Sequence, residues 1–172
     1  GMEQVVPDAR IAQIYEGTNG IQALDLVGRK LPKDGGRAVQ AFFKLVGEEA
    51  GPAKGDERLA PIPVAVERAN GDLQTATMWL MQNAIANPNQ AGAAAYPYMT
   101  LMGTVALGLM WLRMAKASLE ALSNGAEDKT FHENKLVTAR FFAERVMPES
   151  NAHRRKIEAG AETLMALPAE AF

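Results

Sequence analysis

Glu16 is the residue of this sequence best placed to do chemistry. It stands in Ile14-Tyr15-Glu16-Gly17-Thr18-Asn19-Gly20-Ile21-Gln22, a short Gly/Thr/Asn turn between two segments that both read as helix. A carboxylate in such a turn is exposed and held by a helix end, where a base that removes a proton can be positioned. Taken alone the pattern is common, because a Glu beside a helix start is favoured by the helix dipole whatever its role.

Other reactive constellations fail on their spacing. His132-Glu133-Asn134-Lys135-Leu136 has no second His at i+4, so it is not a zinc-protease helix. His153 follows Glu149 by four residues, which makes a solvated pair, and no Glu-x-x-His exists for a di-iron bundle. Cys is absent, which removes disulfides, thiolate metal sites and cysteine nucleophiles together, and no metal site is expected. There is no Gly-x-Gly-x-x-Gly, no phosphate-binding Gly-Lys-Ser/Thr loop and no Gly-x-Ser-x-Gly elbow. His153-Arg154-Arg155-Lys156 is basic, but four such residues in a chain of net charge −2 read as a solvated helix face.

The elements around Glu16 read as helices separated by Pro and Gly breaks. Pro7 and Asp8 start a first helix that reaches Ile14. Asn19 is the expected N-cap of a second, with Gln22 in capping-box position, running to about Lys30 and ended by Leu31-Pro32-Lys33-Asp34-Gly35-Gly36. A third carries the i, i+3, i+4, i+7 stripe Val39, Phe42, Phe43, Val46, with 51–56 as a loop. A fourth is expected over about 62–86, a fifth over 91–122, a sixth over 128–147 and a last over 152–167. The fold class is all-α: an up-and-down bundle preceded by a helix–turn–helix. The loop 31–36 is the expected boundary, dividing residues 2–31 from a helical domain over 36–172.

With 48% hydrophobic and 22% charged residues, the chain is an ordinary globular one, and its charge gives no reason to expect nucleic acid. Residues 73–112 contain no Asp, Glu, Lys, Arg or His. The breaks at Asn87-Pro88-Asn89 and Pro97 favour a buried bundle helix over a membrane span. Six methionines and four aromatic residues in or beside this stretch suit a soft core, or a face turned to a partner. Gly1 reads as a tag remnant, the first residues lack a signal-peptide layout, and a cytoplasmic setting is expected.

The run Asp8-Ala9-Arg10-Ile11 followed by Ile14 to Gln22 resembles the acyl-CoA dehydrogenase family around its Tyr-Glu-Gly-Thr motif. The resemblance implies that Glu16 removes the α-proton of an acyl-CoA thioester while FAD takes the β-hydride, and that the Glu16 backbone N–H helps hold the thioester carbonyl. It implies that Tyr15 and Gly17 line the substrate pocket and that Thr18 and Asn19 meet the cofactor. Gly20 stands where many members carry a longer polar residue. Gly108-Leu109-Met110-Trp111 and the run from Lys135 to Val146 are similar to a helical domain appended in one bacterial branch. In the family this motif lies far into the chain, and the residues that stack the flavin lie mostly upstream of it. The expectation is therefore a carboxy-terminal piece, inactive and without FAD when alone. The complete enzyme would be a homo-oligomer that passes electrons to a transfer partner. The alternative is a free helical module that dimerises or docks.

Overall fold

The computed structural model describes residues 2–14, 17–84 and 86–171, the side chains of Met2 and Gln13 aside. The described residues are all-α, with seven α-helices, of which the last six form the bundle: α1 (Met2–Ile14), α2 (Asn19–Asp25), α3 (Arg37–Ala53), α4 (Ile62–Asn83), α5 (Pro88–Ser123), α6 (Lys129–Phe141) and α7 (Glu149–Glu158). α2 and α6 each widen at their ends into a π-helical turn, Leu26–Lys30 and Phe142–Val146.

The axis of the bundle is α5, whose 36 residues span roughly 54 Å at the helical rise. α4, α6, α7 and α2 all pack against it, and α3 closes on α4. The stripe expected on α3 does face the core: Val39, Phe43 and Val46 are buried, continued by Ala50 and Ala53, with Phe42 half-buried at the rim. Gly108 lets Met147 lie against α5, since a Cβ there would fall 2.5 Å from the Met147 Cε.

Several buried polar groups are paired across helices, as a dry interior favours, although the Asn70 Oδ1 finds no hydrogen-bond donor among the described residues. The Tyr98 hydroxyl lies 2.8 Å from Thr77 Oγ1, which in turn donates to the Leu73 carbonyl at 2.7 Å. Asn70 donates to the Phe43 carbonyl at 3.2 Å, joining α4 to α3. Asp72 joins α4 to α7, accepting from Ser150 Oγ at 2.7 Å and pairing with Arg154 Nε at 2.9 Å. The Arg154 Nε proton points off that oxygen, so the contact is ionic rather than hydrogen bonded.

Several boundaries differ from those expected. α1 begins at Met2 and carries Pro7 inside it, which an exposed helix tolerates because water can serve the carbonyl that Pro leaves without a donor. α3 runs through Gly51 and Pro52 to Ala53, where the loop was expected. α5 starts at Pro88, with Asn87 as N-cap accepting from the Asn89 N–H at 3.0 Å. α7 begins at Glu149 and stops at Glu158, not Leu167. Gly160 takes φ 71°, and Gln90 then captures the Ala161 N–H at 2.9 Å and Glu162 at 2.9 Å. This capture turns residues 161–171 away from the helix axis and leaves Leu164, Met165 and Leu167 exposed.

α5 is long and apolar enough to cross a membrane. Its face through Tyr98, Leu101, Val105, Leu109 and Leu112 is nevertheless fully buried within the bundle.

Candidate functional site

The candidate site is the turn between α1 and α2. Of the residues expected there, Tyr15 and Glu16 lie outside the described residues. Gly17, Thr18 and Asn19 are brought together in one turn and all three are exposed. Gly17 has φ 120°, a conformation that favours glycine, and a Cβ there would meet nothing within 4 Å. The turn therefore needs glycine for its backbone and not for lack of room.

Thr18, not Asn19, occupies the N-cap position, and its side chain makes no capping bond. Its carbonyl accepts the Gln22 N–H at 2.9 Å, the first intrahelical bond of α2. Asn19 is the first helical residue, so Gln22 falls one place beyond capping-box register and the expected reciprocal cap does not form.

What fixes this turn is the helix that follows it. Ala23, Val27 and Leu31 are buried in the same core as α4 and α5, and the π turn at Leu26–Lys30 keeps Val27 and Leu31 on that face. Asp25 receives Arg29 Nη2 at 2.9 Å and pairs with Lys30 at 3.1 Å. The hydrogen bonds from Arg29 and Lys30 hold the Asp25 carboxyl down to about 2, so it stays ionised at any ordinary pH. α1, by contrast, buries none of its described side chains: Val5, Val6, Ile11 and Ile14 all face outward.

The described residues do not by themselves cradle a flavin. Gly17 and Gly20 both open onto empty space, and Thr18 and Asn19 could supply at most one polar edge. Gly20, in the first turn of α2, would also accept a longer side chain without collision.

Sequence reasoning missed an apolar cleft of about 260 Å³ behind α2, lined by Val27, Gly28, Leu31, Leu80, Met81 and Ala91. Its lining joins two stretches far apart in sequence, residues 27–32 and 80–91, so no local pattern announces it. The near approach of Gly36 to Met81 was equally silent: a Cβ at Gly36 would sit 2.9 Å from the Met81 Cε, beside backbone with φ 78°.

Residues 37–168 match the family described as acetyl-CoA dehydrogenase C-terminal like. The chain belongs to this family. It is 34% identical over 166 residues to the 3-methylmercaptopropionyl-CoA dehydrogenase of Ruegeria pomeroyi, covering 96% of this chain and 28% of that protein. It is 28% identical to the broad-specificity linear acyl-CoA dehydrogenase FadE5 of Mycobacterium tuberculosis, over 99% of this chain and 29% of the relative. It is 25% identical to the butyryl-CoA dehydrogenase of Syntrophomonas wolfei, over 98% and 28%. The chain thus spans less than a third of the length of the curated relatives it matches. These matches leave too few residues uncovered to miss the Glu16 turn, so the similarity extends upstream of the family-model region.

Proposed function

We propose that this chain is the carboxy-terminal part of an FAD-dependent acyl-CoA dehydrogenase, with Glu16 as the base that takes the α-proton of the acyl-CoA thioester. The observation that carries this reading is the junction at Gly17 to Asn19. A glycine-requiring turn delivers the chain from the Glu16 segment into α2, and α2 is locked by Ala23, Val27 and Leu31 into a bundle of the family. A base must be held still relative to its substrate, and a helix anchored in a packed core does that better than a free loop. Tyr15 and Gly17 flank the base and line the acyl pocket, and Thr18 and Asn19 present their polar groups to the cofactor's edge.

In this reading residues 2–31 complete the catalytic helical domain and residues 36–172 form the appended one, with α2 belonging physically to both. The groups that hold FAD and CoA, the electron-transfer acceptor and the oligomer contacts belong to the longer protein. The chain alone is inactive, and a stoichiometric flavin carried through its purification would count against this.

Glu16→Gln in the intact enzyme tests the assignment. It should remove turnover by several orders of magnitude while acyl-CoA binding persists, because the amide keeps the shape and cannot accept the proton. Turnover retained in Glu16→Gln would overturn the role of Glu16. An immunoblot of source cells addresses the rest: a native polypeptide of 18.5 kDa would leave only a free docking module.

A further inference from the structure

From Pro88 to Leu112 the outward face of α5 is as uncharged as its buried face; charge enters only in its last turns, at Arg113, Lys116 and Glu120. Tyr96, Thr100, Gly103, Leu107 and Met110 follow one another at helical spacing on the side opposite Tyr98, Leu101 and Val105. Tyr96 is 56% exposed, Leu107 55% and Met110 39%. The Thr100 hydroxyl is turned back onto the Tyr96 carbonyl at 3.1 Å, so it offers little to water. A helix at the edge of a soluble bundle normally carries charge on its outer face, and one apolar all round is a helix covered all round.

We infer that this stripe is the seat of the remaining, substrate- and cofactor-binding portion of the longer enzyme, which lays an apolar helical face along it. The inference rests on the reading of the chain as the carboxy-terminal part of that enzyme. Two further observations select this occupant. The relatives are more than three times as long as the part this chain matches, so a body large enough to cover α5 belongs to the same polypeptide. α1 also leaves its apolar residues outward, and only residues 15–18 separate it from α2, a reach of at most about 18 Å from Ile14 to Asn19. A body that covers α1 therefore lies close to α2, which itself packs on α5. Gly103, with nothing within 4 Å of its missing Cβ, gives the centre of the stripe room for a close backbone approach.

The absence of cysteine supplies a clean test. Leu107→Cys is introduced into the native gene and, separately, into the isolated chain, with Glu133→Cys on the exposed face of α6 as control. Each folded protein is treated with a maleimide, and modification is read on the peptide that carries the new thiol. The expected result is labelling of both positions in the isolated monomer. In the longer native polypeptide, residue 107 should be protected at least tenfold and residue 133 still labelled. Equal labelling of residue 107 in both proteins would overturn the inference and leave the catalytic reading standing. A native polypeptide of 18.5 kDa would overturn both. Light scattering that shows the isolated chain to be a dimer with residue 107 already protected would assign the stripe to a second copy instead.

Discussion

The Thr77–Tyr98 pair shows how a buried hydroxyl chain sets unequal costs for its two members. Tyr98 is fully buried, and burial pushes its phenol up to about 12, so it stays neutral. Thr77 spends its proton on the Leu73 carbonyl, so the Tyr98 hydroxyl donates to the Thr77 oxygen. Tyr98→Phe then removes one bond and leaves no donor stranded, at a cost of about 1 kcal/mol. Thr77→Val strands the Tyr98 proton in an apolar core and should cost more, about 1–3 kcal/mol. Thermal melts of the two variants check the order, and a less stable Tyr98→Phe would mean that the proton chain runs the other way. The same scale shows what the sequence could announce. The stripe Val39, Phe42, Phe43, Val46 carries its own periodicity and faces the core as read, with Phe42 only half-buried, and Gly17 falls in the turn expected for it. The Thr77–Tyr98 bond joins residues 21 apart and has no local signature.

Among the elements, α3 and α5 are held at the surface by one forked pair, Arg113 on Glu49, with Nε to Oε2 at 2.9 Å. The guanidinium holds the Glu49 carboxyl below its ordinary value of 4.5, by hydrogen bonding first and by charge second. A carboxyl lowered in the folded state stabilises it above the unfolded value, and that stabilisation is lost as pH falls through the folded value. Glu49→Gln should therefore melt below the parent at pH 7, with the gap closing as pH falls below about 4.5 and narrowing in high salt. A gap that is constant with pH would mean that Glu49 acts through packing alone. Element ends were the least legible feature of the sequence, and α7 shows why. Leu164 and Leu167 continue an apolar helical spacing beyond Ile157, so the pattern alone carries the helix to residue 167. Gly160 and the side chain of Gln90, 71 residues away from Ala161, decide otherwise. The Thr18 cap is a smaller case, in which two adjacent cap-competent residues can be told apart only by backbone geometry.

At the scale of the whole molecule, α1 is where local propensity and tertiary support part company. Its 13 residues form a helix that contributes none of its described side chains to the core, and it contains Pro7. Isolated helices of about 12–15 residues are marginal in water, and an interior proline lowers that further. The bundle from α2 onward, by contrast, buries a continuous core from Ala23 to Ile157. The two should therefore separate in native-state hydrogen exchange. In the isolated chain the amides of residues 3–14 should exchange at close to unprotected rates, while those of α4 and α5 open only with global unfolding. If the chain is the carboxy-terminal part of the proposed longer enzyme, the same α1 amides should gain protection of tenfold or more there, because that enzyme would cover Val5, Val6, Ile11 and Ile14. Strong protection of α1 in the isolated, monomeric chain would show that the helix needs no further partner. The Glu16 turn would then be held from both sides within this chain, by α1 as well as by α2.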